Sequence, residues 1–155
     1  MKECLSCQSY PQDPNFIYQT KYWKIFLHPD QAYLGRCIVT SSRHIGDLAD
    51  LNLAEWADYY LVIKQLEGSL KKAFRVTLFN WGCLMNNAYQ EKPYNPHVHW
   101  HLRPRYNHQA NIGGSTFEDL EFGNHYTHDR SQIVTPEVQQ LIINKIRENL
   151  NEKVG

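Results

Sequence analysis

The sequence predicts one α+β domain: an antiparallel sheet of about five strands, one long helix packed on it, and a C-terminal helix. Three observations carry that prediction. Residues 95–105 read Asn-Pro-His-Val-His-Trp-His-Leu-Arg-Pro-Arg, and strict alternation of histidine with an apolar residue is the period of a half-buried strand. Between residues 53 and 74, apolar side chains recur at three- and four-residue steps, the period of an amphipathic helix. Residues 17–40 hold short runs of strand composition separated by tight breaks, the pattern of an antiparallel meander.

Length and charge set the outer bounds. A chain of 155 residues is one domain's worth and buries enough surface for a real core. Its 16 basic and 16 acidic residues cancel, so no global field draws it to nucleic acid or to an anionic membrane. No apolar run is long enough to span a bilayer, and Met1-Lys2-Glu3-Cys4 does not open a signal peptide. The expectation is a soluble, cytoplasmic protein. In that compartment its four cysteines point to thiols or metal rather than disulfides.

In chain order, residues 1–15 open with Cys4-x-x-Cys7, then Pro11 and Pro14. No strand precedes this pair to make it a thioredoxin-like motif; half of a zinc site is the better reading, with unligated thiols as the alternative. Residues 17–20 and 23–28 form the first two strands around Lys21-Tyr22, and residues 36–40 resume after Gly35. Asn52 and Glu55 have capping-box spacing at the start of the long helix. Its apolar stripe is Trp56, Tyr59, Tyr60, Ile63, Leu66, Leu70, Ala73 and Phe74, with Lys64, Glu67, Lys71 and Lys72 off it.

Residues 79–86 read as the strand that pairs with the histidine strand, Gly82 marking a bulge or a close backbone approach. Pro93 and Pro96 hold the connection between the two in loop geometry. Residues 106–131 are polar, contain Gly113-Gly114, and read as one long loop, a lid with solvated histidines. His125 and His128 in that loop have no further ligand cluster beside them. Thr135-Pro136 starts the final helix, residues 136–151, whose apolar face is Val138, Leu141, Ile142, Ile146 and Leu150.

The alternation places His97, His99 and His101 on one face of the strand and sends Val98, Trp100 and Leu102 to the core. A row of imidazoles on an open sheet face binds phosphate, moves protons, holds a metal or acts as a nucleophile. Arg103 shares that face, and Arg105 does too if the strand continues past Pro104.

This stretch resembles the histidine-triad (HIT) superfamily, whose signature is His-φ-His-φ-His-φ-φ with φ apolar; the last φ here is Arg103. Residues 26–45 and 86–106 are also similar to HIT segments, and Cys4-Leu5-Ser6-Cys7 matches the zinc-bearing bacterial, diadenosine tetraphosphate hydrolase-like branch. The resemblance implies a HIT-like fold, a nucleotide as small-molecule substrate, a homodimer paired through long helices and neighbouring strands, and one structural zinc per subunit held by Cys4, Cys7, His44 and His97. It implies His99 as the nucleophile that forms a nucleotidyl-histidine, with His101 and His97 beside it in the catalytic triad.

Substrate-binding positions carried over from the family are Phe26, Leu27, His28, Arg36, Asn86, Tyr94 and Arg103. Several depart from the family pattern: His28 stands for an Asp or Asn, Arg36 for another His, and Pro93-Tyr94 for Gln and Ser or Thr. An Arg at position 36 holds a phosphate oxygen or makes an ion pair. Four activities compete: hydrolysis of a nucleoside phosphoanhydride or phosphoramidate, nucleotidyl transfer or phosphorolysis, metal catalysis with His97-x-His99 as ligands, and nucleotide binding without turnover. In transferase branches the third His is commonly Gln, so His101 favours hydrolysis.

Overall fold

The protein, seen in a computed structural model, is described over residues 4–8, 12–127 and 129–150. His128 and the expected last residue of the final helix, Asn151, lie outside the described residues. In chain order the elements are α1 (Leu5–Gln8), β1 (Phe16–Gln19), β2 (Trp23–Leu27), β3 (Cys37–Ser41), α2 (Leu53–Phe74), β4 (Leu78–Gly82), β5 (His99–Arg105), β6 (Ala110–Ile112), β7 (Ser115–Phe117) and α3 (Pro136–Glu148). Five of the strands form one antiparallel sheet in the order β1-β2-β3-β5-β4. This is the α+β architecture that the sequence predicts, with β3 joined to β5 only in space.

Sheet register decides what faces the site. Opposed residues of antiparallel neighbours share a face. Phe26 lies opposite Ile38, Ile38 opposite His101, and His101 opposite Gly82, so one row crosses four strands. Trp23, Ile25, Leu27, Cys37, Val39 and Leu102 point to the other face and are fully buried. The strand period thus separates a site face from a core face, as the alternation in residues 97–102 requires.

Helix α2 covers the core face. Its capping box is present: Asn52 Oδ1 accepts from the Glu55 amide at 3.0 Å, and Glu55 Oε2 accepts from the Asn52 amide at 2.8 Å. Trp100 stacks on Tyr59 at 4.8 Å between ring centroids. The indole N–H groups of Trp23 and Trp81 donate to the Glu55 carbonyl and to Glu67 Oε1, each at 2.9 Å. The buried line of α2 is Tyr59, Val62, Leu66, Leu70 and Phe74, with Ser69 donating to the Ile146 carbonyl of α3 at 2.6 Å. The expected stripe is corrected at Tyr60, which is 58% exposed, and at Ile63, which yields the central place to Val62. Helix α3 starts on Thr135, whose hydroxyl accepts from the Val138 amide, and ties to β1 through Arg147 and the Phe16 and Ile17 carbonyls.

Three further expectations are adjusted. The strand before the triad ends at Gly82, and residues 86–89 form a 3₁₀ turn. Strand β5 begins at His99 rather than His97 and runs through Pro104 to Arg105. Proline is tolerated there although Pro104 pairs with Phe79 on the edge strand β4. The long 106–131 loop contains a small hairpin, β6 and β7, turning at Gly113 and Gly114 with φ of 56° and 77°. Both values suit a two-residue turn with a left-handed pair, and strands of three residues are too short to announce themselves by alternation. Among the described residues, no helix is long and apolar enough to cross a membrane.

Gly35 enters β3 with φ of 79°, and a Cβ there would stand 2.7 Å from Leu70 Cδ2 of α2. Gly114 has φ of 77° but open space around it. Gly114→Ala is therefore expected to cost about 1–2 kcal/mol from the left-handed backbone alone. Gly35→Ala carries the same penalty plus about 1–3 kcal/mol of overpacking. Urea denaturation of the two variants measures the difference; equal losses would show that α2 yields freely to the added methyl.

Candidate functional site

The three histidines of the triad take three different environments. His97 precedes β5 and is buried. Its Nε2–H donates to the Ser41 carbonyl at 2.8 Å, which leaves Nδ1 with its lone pair directed at two thiols. Cys4 Sγ lies 3.2 Å and Cys7 Sγ 3.6 Å from that nitrogen, and Cys7 Sγ is 3.5 Å from His44 Nδ1. All four ligand atoms fall within 4.8 Å of one another.

Those separations fit a tetrahedral ion: Zn–S near 2.3 Å and Zn–N near 2.0 Å give ligand-to-ligand edges of roughly 3.5 Å. The donor set Cys₂His₂ and the outer hydrogen bond to Ser41 both suit zinc. Burial and the Cys4 thiol push the Cys7 thiol up, so metal binding would release protons. Four residues scattered over 93 positions of sequence thus converge, compatible with zinc, where the N-terminal segment meets the entry to β5.

His99 is oriented by the main chain of His97. Its Nδ1–H donates to the His97 carbonyl at 2.8 Å, which selects the tautomer with a free lone pair on Nε2. The part of His97 that meets His99 is therefore its carbonyl; its ring is spent on Ser41 and the thiols. His101 packs against His99 with ring centroids 4.9 Å apart, and its buried Nδ1 has no hydrogen-bond partner. Burial first, then the charges of His99, Arg103 and Arg36, hold the His101 imidazole down at about 4.

The expected substrate positions divide by face. Phe26 and His28 lie on the site side, the His28 ring 6.5 Å from that of His101. Leu27 is corrected: it is 1% exposed, opposes Cys37 on the core face, and backs the site rather than lining it. Ile38 of β3, opposite both Phe26 and His101, takes a place on the site face that sequence reasoning missed. Arg36 Nη1 is ion-paired with Asp30 Oδ2 at 2.9 Å, while its buried Nε has no partner. Arg103 is 5% exposed and donates from Nη1 to the Tyr126 hydroxyl at 3.1 Å, its Cζ 4.1 Å from that ring's centroid. Asn86 and Tyr94 are exposed on the 83–98 connection, Tyr94 packed on Tyr89 at 5.2 Å.

Arg105, on the same face, is a structural anchor. It is 2% exposed, with Nε and Nη2 on the two Asp119 oxygens at 2.6 and 3.2 Å. Further bonds reach the Glu121 and Asn124 carbonyls and Asn80. The anchor clamps residues 119–124 onto the end of β5 and brings Tyr126 to Arg103. Nothing in the spacing of Asp119 or Tyr126 foretells these contacts; Tyr126 is legible only as a neighbour of His125.

His28 and His101 make stability depend on pH. Burial, with the Arg36 guanidinium, holds His28 down at about 4, as it does His101. The unfolded chain takes up these protons near pH 6.5, the folded chain only near 4, so the unfolded state binds more protons in between. Stability from the neutral rings is complete above pH 6.5 and is lost as pH falls towards 4. Urea midpoints at pH 7 and 5 are expected to differ less in the double variant His28→Gln, His101→Asn than in the parent. An identical fall would contradict the assignment.

Solved structures of other proteins share this fold. A histidine triad protein of Sinorhizobium meliloti superposes with a TM-score of 0.67 at 18% identity, over 88% of this chain and 90% of that one. A zinc-bound histidine triad family protein of Mycobacterium smegmatis matches at 0.54 and 18%, over 86% and 84%. A diadenosine triphosphate hydrolase of Plasmodium falciparum matches at 0.61 and 17%, over 89% and 77%. At such identities the likeness establishes the fold. Comparison with curated protein sequences finds no match. Residues 11–108, more than half of the chain, match the HIT domain model, and the chain belongs to the HIT domain family.

Proposed function

We propose that the protein is a nucleotide hydrolase that cleaves a nucleoside phosphoanhydride or phosphoramidate at the α-phosphorus through a covalent nucleotidyl-His99. The observation that carries this reading is the His99 Nδ1–H bond to the His97 carbonyl at 2.8 Å. It directs the free Nε2 lone pair of an oriented imidazole to the open side of the ring, the requirement for in-line attack. In the first step the Nε2–P bond forms as the bond to the leaving group breaks, the electron pair leaving with that group, which takes a proton from solvent. In the second, water attacks phosphorus, the P–N bond breaks, its electron pair returns to Nε2, and the water's proton passes to solvent.

His101 stands beside His99 as a neutral donor to a phosphoryl oxygen. Phe26 and Ile38 form an apolar strip next to it for a base, and His28, Arg36 and Arg103 supply donors. Asn86 and Tyr94 reach the substrate from the 83–98 connection. His99→Ala is expected to lose several orders of magnitude in turnover while still binding nucleotide. His101→Ala is expected to cost roughly 10²–10³-fold, as for one transition-state donor. Acid-labile, base-stable label on the protein would report the intermediate. Hydrolysis of a substrate chiral at the α-phosphorus should give net retention; inversion would overturn the covalent path in favour of attack by a metal-bound water.

Cys4, Cys7, His44 and His97 would hold one structural zinc per subunit, tying the N-terminal segment to the start of β5. The subunits pair as a homodimer, supported by the open edge of β4 and by Trp56 and Tyr60 of α2, 38% and 58% exposed. One preparation made without added metal tests both. Elemental analysis should give near-stoichiometric zinc, and sedimentation at micromolar concentration a dimer. Cys4→Ser should lose the metal and melt at lower temperature. A zinc-free protein with unchanged melting in Cys4→Ser would remove the metal assignment, and a monomer would remove the pairing.

A further inference from the structure

The two arginines of β5 that share the site face differ in one respect. Arg105 and Arg103 are both buried, at 2% and 5% exposed. Arg105 is saturated by a bidentate carboxylate, two carbonyls and an amide oxygen. Arg103, two residues earlier, has one side-chain hydrogen bond among the described residues, to the Tyr126 hydroxyl, and no carboxylate. A guanidinium has five N–H donors, and a buried cation without an anionic partner is costly. The protein satisfies one such group completely and leaves its neighbour with donors to spare.

The other groups around Arg103 point the same way. Arg36 enters from the start of β3, half of its guanidinium on Asp30 and its buried Nε unpartnered. His28 Nδ1 lies 3.0 Å from the Asp30 amide nitrogen and 3.1 Å from the Asp30 carbonyl, so the main chain of residue 30 occupies Nδ1 and Nε2 is left without a partner among the described residues. His101 has an unpartnered Nδ1 between His28 and His99. Extending the Cys37–Leu102 pairing by one residue sets Arg36 opposite Arg103 on the site face, so two guanidiniums and the His28 and His101 imidazoles gather there, with Asp30 as the carboxylate bonded to Arg36. Arg103 lies four residues beyond His99, ~13 Å along the backbone of an extended strand, with His101 between them on the same face.

We infer that His28, Arg36 and Arg103 form a subsite for a second phosphate group of the substrate, on the side of His101 away from the zinc ligands, distinct from the phosphate that His99 attacks. The inference rests on the proposed nucleotide reading and deepens it. It makes the substrate one with at least two phosphate groups, rather than a nucleoside phosphoramidate with one. The second group is either the next phosphate of a 5′ chain or a phosphate carried on the ribose. Tyr126 is the positioning residue: its ring and hydroxyl hold the Arg103 fork in place.

Calorimetric titration of the full chain, as purified, with AMP, the non-hydrolysable α,β-methylene analogue of ADP, and adenosine 3′,5′-bisphosphate tests this. One of the two bisphosphorylated ligands should bind about tenfold or more tighter than AMP, as a charge-assisted bidentate contact supplies. The analogue being tighter identifies the 5′ chain; the 3′,5′-bisphosphate being tighter identifies the ribose. Arg103→Met should bring the ratio to within about twofold, and Arg103→Lys, which keeps charge but loses the fork, should retain part of it. If Arg103→Met does not fold, Tyr126→Leu should still lower the ratio. A parent ratio near one, or a ratio unchanged in a folded Arg103→Met variant, would overturn the subsite. If no nucleotide binds, the nucleotide reading fails by itself. Pyrophosphate titrated against labelled arginine side chains then decides: shifts at Arg103 and Arg36 keep the anion subsite, and their absence removes it.

Discussion

His97 is held at three atoms, and the functional side of the molecule is positioned from them. Its Nε2–H is committed to the Ser41 carbonyl, its Nδ1 faces Cys4 and Cys7, and its carbonyl accepts the His99 Nδ1–H. Each bond constrains the next. With Nε2 protonated, Nδ1 is left as a ligand nitrogen; with the backbone fixed at residue 97, its carbonyl selects the His99 tautomer. A metal-type cluster and an oriented imidazole are thus two ends of one residue. Loosening the N-terminal segment would reach the His99 ring through a single main-chain carbonyl.

That arrangement needs a rigid sheet behind it, and the aromatic layer between β5 and α2 supplies it. Trp100 is stacked on Tyr59 and lies edge-on to Trp56, while Tyr59 also meets Trp23 and Trp81. The indole N–H groups of Trp23 and Trp81 find acceptors on α2, so the layer is fastened by direction as well as by area. Every second residue of β5 joins this layer, and every alternate one is thereby forced onto the open face. The histidine row is the complement of a packed row of Val98, Trp100 and Leu102.

On the open face the charge is unevenly settled. Arg105 is consumed in anchoring residues 119–124, and that anchor carries Tyr126 to Arg103. Arg36 is half consumed by Asp30, which also accepts from the Gln132 amide and so joins the β2–β3 corner to the segment before α3. The remaining donors gather around His101, whose neutral ring lets the guanidiniums approach without a third full charge. The same burial that keeps His101 neutral makes the unbonded donors of Arg103 costly.

The sequence by itself determined the elements whose signal is periodic or chemical at short range. The capping box at Asn52, the helix start at Thr135-Pro136, and the meander are read from neighbours within a few residues, and all appear in the structure. The triad is legible because residues two apart on a strand share a face. The zinc-type cluster was legible only through resemblance, since nothing local joins Cys4 to His97 across 93 positions. Tertiary structure alone decided which arginine is saturated by a carboxylate and which meets a tyrosine, because Asp119 and Tyr126 arrive from a segment whose path no period describes. It also decided that Leu27 backs the site while Ile38 faces it. Strand composition names both as apolar, but only the register of β2 on β3 and β5 assigns each one its side of the sheet.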